Sequence, residues 1–562
     1  MKKRSKVKII AATALFVVFW TFMLYLVQCL LVPKYQSGVV EGSMIAEYYE
    51  EKTDHEVLMI GDCEVYENIS TVKLYEEYGI TSYIRGSAQQ LIWHSYYLLE
   101  DTLRYETPEV VVFNVLALKY NEPQKEAYNR MTLDGMKWSS SKVNAILASM
   151  TEDEKFVDYV FPLFRYHARW SELTKDDFKY LFHRDLVTHN GYYMRADVRA
   201  QEEFPDPMPL RDYSFGENAM LYLDKMTALC KEKGIELVLI KAPTEYPHWY
   251  EQWDDQMEAY AEENEIEYIN FIPLQEEMGL DMSVDTYDAG LHLNVTGAEK
   301  MSKYFGSWLK ERYELTDYRN DPEYAAVWEE KTQRYEAQKA AQYKEIEEQG
   351  SLVSYVPAQT KETNILKNFI VFALLAAICL TLIACDGKTT TDAPEKNSKP
   401  EASVSGEGAP SEGGEENSKA GENNEQNADR GYILMMGDTK VVIGAQMAPV
   451  AAALGEPTKY FESPACAFQG MDKVYTYGGV VIRTYPDDAG VDIIWSIELK
   501  DDMTSTAEGV CIGDNKDKVL SVYGSVEGED SLLYRKDNVV LTFFLSDGAV
   551  TSITYIDETF NG

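Results

Sequence analysis

Apolar residues along this chain fall into three patterns, and each predicts a different kind of element. Ile9 to Leu31 are almost uninterruptedly apolar, with Thr, Gln and Cys the mildest of exceptions. A helix of about 23 such residues is long enough to cross a bilayer core. Lys2, Lys3, Arg4, Lys6 and Lys8 precede it without an acidic residue, so the N-terminus is expected in the cytoplasm and Pro33 onward outside. The run exceeds a signal-peptide core and no small-x-small site follows promptly, which favours an uncleaved anchor (residues 1–32) over a cleaved signal.

The second pattern is short apolar runs alternating with helical periodicity, the mark of a parallel α/β sheet. Val57-Leu58-Met59-Ile60 read as a buried strand, ended by Gly61-Asp62 with Cys63 at the tip. Ile80 to Ile84 make a second strand closed by Arg85-Gly86-Ser87, and Ser87 can cap a helix to about Tyr105. After Pro108, Val110 to Val115 suit a strand buried on both faces. Gly216 to Lys233 predict a helix stopped by Gly234, Ile235 to Ile240 a strand broken by Ala242-Pro243, residues 254–264 a helix, and Tyr268 to Phe271 a strand. Asn294 to about Tyr313 predict a final amphipathic helix. This gives an α/β domain over residues 50–315. Residues 120–215 fit the alternation poorly; rich in aromatics and charge, they are expected to form an insertion over the site. Arg130 is its notable basic residue, either a solvated surface group or a functional one.

The third pattern begins beyond residue 316. Residues 316–360 are charged, with 322–349 expected to be a solvated helix. A second apolar segment (residues 367–385), whose apolar run Phe369 to Ala384 follows Lys361 and Lys367, ends Leu382-Ile383-Ala384-Cys385-Asp386. That ending resembles the bacterial lipobox, which implies lipidation of Cys385; a short membrane helix is the alternative. Residues 386–430 have almost no apolar side chains and read as a disordered linker. In residues 431–562 a unit recurs. Ile443-Gly444 precede Val450 and Leu454-Gly455, and Ile512-Gly513 precede Val519 and Tyr523-Gly524, each continuing into β-rich sequence. An α+β tandem repeat of this kind resembles β-lactamase-inhibitor-like and small outer-membrane-assembly lipoproteins. The region offers no nucleophile–base set, which favours binding over catalysis, with an envelope protein as the expected partner. Cys466 and Cys511 could form a disulfide or remain two core thiols.

Basic residues precede both apolar segments, so each segment prefers its N-terminal side in the cytoplasm. Both preferences cannot hold in one uncleaved chain whose middle domain lies outside. The expected arrangement keeps the middle domain and the tail both outside, with the second segment cleaved or interfacial, or else the chain joins two formerly separate genes.

Composition narrows the function. A length of 562 residues suggests two to four domains. A formal net charge of -40 disfavours nucleic acid as a partner. Seven cysteines without close pairs predict neither a zinc site nor a disulfide-dense scaffold. No metal and no cofactor are expected.

The chemistry sits in two stretches. Val57-Leu58-Met59-Ile60-Gly61-Asp62-Cys63 and Asp288-Ala289-Gly290-Leu291-His292-Leu293-Asn294 resemble the first and last blocks of the SGNH/GDSL hydrolase family, with cysteine where that family has serine. The resemblance covers roughly residues 55–312 and implies a three-layer fold. It implies Cys63 as nucleophile, His292 as its base, and Asp288 or Asp285 orienting the imidazole. The family's acid stands three residues before the histidine, where this chain has Ala289. The oxyanion donors implied are the backbone at the nucleophile, Gly86 and Asn114, the last inside Phe-Asn-Val rather than Gly-x-Asn-Asp. The chain looks closest to the membrane-anchored, extracytoplasmic branch that modifies cell-wall polymers or exopolysaccharides, including proteins of teichoic-acid D-alanylation. That implies an esterase or O-acyltransferase at the cell membrane, with a cell-envelope glycopolymer or acyl donor as partner. The competing reading is a catalytically degenerate protein of the same fold that binds polymer or positions a partner enzyme.

Overall fold

The computed structural model describes residues 2–33, 44–181, 186–352, 431–464, 471–487 and 490–559. The second apolar segment with Cys385, the linker 386–430 and Cys466 lie outside the described residues.

The N-terminal apolar run forms one helix, α1 (Lys2–Leu31). Within it Ala12–Leu31, with a mean hydropathy of 2.2, is long and apolar enough to cross a membrane. The alternating region builds a five-stranded parallel sheet: β1 (Val57–Gly61), β2 (Ser82–Gly86), β3 (Val110–Asn114), β4 (Glu236–Lys241) and β5 (Glu267–Asn270), in the order β2-β1-β3-β4-β5. Every residue of β1, β2 and β3 is buried, as expected for a sheet covered on both faces. The period of two in β1 assigns the layers. Val57 and Met59 join one core with Met301 and Phe305, while Leu58 and Ile60 join the other with Leu99, Leu223 and Met257. The covering helices are α2 (Cys63–Tyr66), α3 (Thr71–Tyr78), α4 (Ile92–Thr102), α5 (Glu217–Lys233), α6 (Glu251–Asn264) and α7 (Val295–Arg312). A parallel sheet between helical layers is the fold class the alternation predicted.

Boundaries differ where tertiary pairing overrides local signals. The second strand runs from Ser82 to Gly86 because Gly86 pairs with Gly61 and carries the ladder two residues further than the apolar run. Arg85 therefore lies in the strand, fully buried. Its guanidinium donates to the Leu98 carbonyl, Asp101 and Thr102 and lies 4.3 Å from the Tyr48 ring centroid. Ser87 does not cap a helix; its hydroxyl engages Gln90 and Thr132 and the helix begins at Ile92.

The insertion has two parts. Short helices at Glu126–Leu133, Ser140–Ser149, Phe156–Val160, Leu163–Tyr166 and Lys175–Tyr180 come first, with Ser140–Ser149 packed on α4. Arg130 is neither solvated nor at the site. It is buried between Glu126 (2.6 Å) and Asp134 (3.3 Å), 4.1 Å from the Tyr159 ring. The second part runs extended from about residue 187 to 215.

The charged stretch forms α8 (Pro322–Gln349), capped by Asp321. It is not solvated all round. Trp328, Tyr335 and Gln342, seven residues apart, are its buried residues. Trp328 stacks on Tyr75 at 4.6 Å, and Gln342 donates to the Met194 carbonyl. Two aromatics and a glutamine at this spacing form one stripe, a signal masked by the surrounding charge.

The C-terminal region forms a hairpin of β6 (Ile433–Met436) and β7 (Thr439–Val442), and a seven-stranded antiparallel sheet. The sheet is built from β8 (Lys459–Pro464), β9 (Met471–Tyr477), β10 (Val480–Pro486), β11 (Asp492–Leu499), β12 (Ser531–Lys536), β13 (Val539–Ser546) and β14 (Ala549–Asp557), in the order β12-β13-β14-β11-β10-β9-β8. Helices Met447–Leu454 and Lys516–Tyr523 open the two units. The repeat is structural: Gly444 N–H donates to the Ile494 carbonyl at 2.7 Å and Gly513 N–H to the Val550 carbonyl at 2.8 Å. The Cys511 thiol lies 3.5 Å from Asp514.

Candidate active site

The carboxyl ends of β1, β2, β3 and β4 deliver Asp62-Cys63, Gly86, Asn114 and Lys241 to one edge of the sheet, where open α/β sheets bind their ligands. The turn after β1 is tight. A Cβ on Gly61 would meet Val65 Cγ2 at 2.5 Å and Asn114 Cβ at 3.1 Å, so glycine lets the chain turn directly into α2. Asp62 caps that helix, accepting from Glu64 N–H at 3.2 Å. Cys63 is its first residue, partly buried against the sheet core.

Behind the turn lies a buried polar network. Lys241 Nζ donates to both oxygens of Glu64 at 2.9 and 3.0 Å and to the carbonyls of Ala242 and Thr244. Thr244 Oγ1 donates to Glu64 at 3.0 Å. Asn114 Nδ2 donates to Asp62 Oδ1 at 3.1 Å and to Glu64 Oε2 at 3.0 Å. Both amide protons of Asn114 are thus engaged by carboxylates. Burial, reinforced by the neighbouring Glu64 charge, pushes the Asp62 carboxyl up to about 6.

The second half of the site is a closed loop. A bridge between Thr286 and Leu293 ties its ends, and Ala289 (φ 69) and Gly290 (φ 100) turn it through the left-handed region. That conformation costs a non-glycine residue about 1 kcal/mol. The turn returns Asp288 to His292. One Asp288 oxygen accepts His292 N–H at 2.8 Å and the other lies 2.6 Å from His292 Nδ1. The backbone and the Nδ1 side of the histidine ring are thus fixed by one carboxylate. Asp285 is engaged elsewhere, fully buried against Lys300 Nζ at 2.5 Å and Asp281 N–H at 2.7 Å.

Two residues directly after α2 lock the halves together. Asn68 Oδ1 accepts Leu293 N–H at 2.7 Å. Glu67, whose N–H donates to the Cys63 carbonyl, accepts from Tyr287 Oη and lies 3.8 Å from His292 Nδ1. Tyr287 in turn lies beneath the Arg195 guanidinium at 4.7 Å and near-parallel to the His292 ring. The extended part of the insertion straps both halves: Tyr193 N–H donates to the Tyr66 carbonyl, Val295 N–H to the Arg195 carbonyl and Arg199 N–H to the Thr286 carbonyl.

Glu67, Asn68 and Tyr287 were not singled out from the sequence, nor were Glu64 and Lys241. The one local signal is the polar run Glu64, Glu67, Asn68 directly after a buried strand; Lys241 carries none, ending a strand of apolar residues. Gly86 lies beside Gly61, where a Cβ would meet the Gly61 carbonyl and Tyr66 at 3.0 Å. Among the described residues, no three His, Cys, Asp or Glu side chains are grouped to hold a metal ion.

No family model and no curated protein matches this chain. Among solved structures, similarity is found to a protein from Bacteroides fragilis described as an acylhydrolase (11% identity, TM-score 0.25), covering 47% of this chain and 94% of that one. A lipolytic protein of the G-D-S-L family from Desulfitobacterium hafniense matches at 12% identity and TM-score 0.22, covering 45% of this chain and 99% of its own. A GDSL-like lipase from Bacteroides thetaiotaomicron matches at 12% identity and TM-score 0.22, covering 48% and 95%.

Proposed function

We propose that the chain is a membrane-anchored SGNH-type acyl-ester hydrolase or O-acyltransferase acting outside the cytoplasm on a cell-envelope glycopolymer, with Cys63 as nucleophile, His292 as base and Asp288 as its orienting carboxylate. The observation that carries this reading is the Asp288–His292 pair, held by Glu67 and Asn68 against the helix that begins at Cys63.

The chemistry follows from these roles. His292 Nε2 takes the Cys63 thiol proton as the sulfur attacks the ester carbonyl, forming the C–S bond. Asp288 keeps the proton on Nδ1 and stabilises the imidazolium. As the tetrahedral intermediate collapses, the C–O bond breaks and the leaving alkoxide takes the proton from Nε2. Water, or a polymer hydroxyl, then loses its proton to Nε2 and attacks the thioester, releasing Cys63. Water gives hydrolysis and a hydroxyl gives transfer. Backbone N–H groups at Cys63 and Gly86 serve the oxyanion. Asn114 joins them when it exchanges one carboxylate partner for the substrate oxygen.

That exchange favours a second reading. With its amide spent on Asp62 and Glu64, Asn114 equally suits a degenerate site that binds polymer without turning it over. In either reading Cys385 is a lipidation site and the C-terminal region a docking module for an envelope protein. Labelling with a thiol-reactive acyl probe and mapping the adduct separates the two. Modification of Cys63, lost in Cys63→Ala and in His292→Ala, is the expected result. An unmodified Cys63 in folded protein would remove the catalytic reading.

A further inference from the structure

The described residues expose several large apolar side chains close together in sequence, with the Phe161 and Phe164 ring centroids 6.0 Å apart. Phe161 (43% exposed), Phe164 (59%) and Trp170 (58%) stand out on the short helical segments that precede Lys175–Tyr180, with Val157 beside them in sequence. A soluble domain rarely leaves such a cluster unpartnered. These segments are held on the anchor helix. Leu163–Tyr166, the turn His167–Ser171 and Lys175–Tyr180 all pack against α1, whose Leu30 and Leu31 are buried by the domain. Arg169 fixes the level, donating through Nη1 to the Leu31 carbonyl at 2.9 Å and through Nη2 to Asp177 at 2.9 Å. Leu31 is the last residue of the apolar span. Local charge also differs from the whole. Between 156 and 173 the chain carries Arg165 and Arg169 against Asp158 and Glu172, a neutral balance in a protein with net charge -40. Aromatic rings and arginines at the end of a membrane span are the side chains that partition to the headgroup level, rings downward and charges outward.

We infer that residues 156–173 form a second membrane contact, a belt lying in the outer headgroup region that seats the catalytic domain on the bilayer. This rests on the reading of α1 as a membrane span. The occupant is the lipid surface because the patch is continuous with the span's own exit: the carbonyl that ends the apolar helix is hydrogen-bonded to the segment that carries the rings. Seated this way, the domain has a fixed orientation and is not a tethered body free to roll.

The test uses the full chain reconstituted in vesicles of phosphatidylcholine and phosphatidylglycerol whose acyl chains carry bromine either near the headgroup or near the bilayer centre. Bromine quenches tryptophan on contact. Trp20, inside α1, and Trp170 are isolated by difference against Trp20→Phe and Trp170→Phe, both mild changes. Trp20 should respond most to the deep bromine. Trp170 should lose about half its emission to the shallow bromine, as expected for a ring buried ~5–10 Å below the surface. Phe164→Trp should add emission with the same shallow profile. Trp20 quenched while Trp170 stays unquenched by lipid and open to aqueous acrylamide would overturn the belt and leave the anchor standing. Trp170 shielded from both quenchers, with cross-linking through position 170, would overturn it in favour of a second copy of this chain. Trp20 unquenched would remove the anchor, and the belt with it.

Discussion

The two folded regions handle charge in opposite ways. The α/β region sinks ion pairs into its interior: Glu64–Lys241, Arg85–Asp101, and His55 held between Glu51 and Glu106. The C-terminal region packs an interior of Val, Ile, Leu, Phe and Tyr and sinks one comparable pair, Arg483–Glu498, among its described residues. Burying a charge is costly unless it is paired and hydrogen-bonded, and a hydrophobic replacement is often as stable. A fold that needs only to be a fold can avoid the expense. In the α/β region the Glu64–Lys241 pair lies directly behind the Cys63 turn. The comparison teaches that polar interior in this chain concentrates where distant elements of the parallel sheet are joined, the turn at Cys63 among them, and is sparse where a repeated helix-and-meander unit packs by apolar contact.

The sharpest way to break that contrast is at the histidine. Asp288→Asn preserves the shape of the loop but loses the charge against Nδ1; any acyl-transfer rate should fall by roughly a thousandfold or more, with unchanged far-ultraviolet dichroism. A rate within a few-fold of the parent would place the chemistry elsewhere. Next in size is Lys241→Met, which leaves Glu64 buried without its cation. It should cost about 3–5 kcal/mol, read as loss of hydrogen-exchange protection in β1, β3 and β4 but not in β8 to β14. The double variant Lys241→Met with Glu64→Leu should recover most of it. Equal loss of protection in the C-terminal sheet would show that the pair supports the whole chain and not the α/β sheet in particular.

A pH experiment sharpens the comparison further. The folded state holds the Asp62 carboxyl up at about 6, above the ordinary aspartate value, so the folded chain binds a proton that the unfolded chain releases. The resulting stability is present below the ordinary value and is lost as pH rises through about 6. Asp62→Asn keeps the oxygen that accepts from Glu64 N–H and Asn114, and removes the charge. It should therefore raise stability at pH 8 by about 1–3 kcal/mol, with the gain vanishing below the ordinary aspartate range. A gain independent of pH would assign the effect to something other than this carboxyl. The smallest effect lies in the repeat. Asn515 caps its helix, accepting Lys518 N–H at 2.9 Å, whereas the equivalent Gln446 makes no side-chain cap. Asn515→Ala should cost about 1 kcal/mol and Gln446→Ala almost nothing, measured by the same exchange readout over the two helices.

Much of the α/β order was legible in the residues. Val57 to Ile60 and Val110 to Phe113 are continuous β-branched and apolar runs that fit nothing but a doubly covered strand, and Gly234 ends its helix in the left-handed conformation with its N–H on the Cys230 carbonyl. Boundaries failed where pairing partners set them, as at Ser82–Gly86, where the ladder to β1 outlasts the apolar run. The α8 stripe was missed because Trp328, Tyr335 and Gln342 are spread through Glu and Lys, and composition averaged over the stretch reads as solvated.

The candidate site divides the same way. Cys63 after a strand and His292 before a capped helix are visible because strand ends and helix caps carry local sequence signals. Asn294 shows its cap directly, accepting Thr296 and Gly297 N–H groups. Which aspartate meets the imidazole could not be read from spacing, since Asp285 and Asp288 both precede it. The left-handed turn at Ala289-Gly290 decides it, by folding Asp288 back while Lys300 takes Asp285. The clamp of Glu67 and Asn68 on Leu293 and Tyr287 joins residues more than 200 positions apart, and no local pattern encodes such a contact. Periodicity and turn chemistry act over a few residues, so sequence alone determined the strands, the long apolar N-terminal helix, the repeat and the places of Cys63 and His292 at element ends. The partner of each buried charge depends on which distant elements the sheet order brings together, and that only the tertiary structure decided.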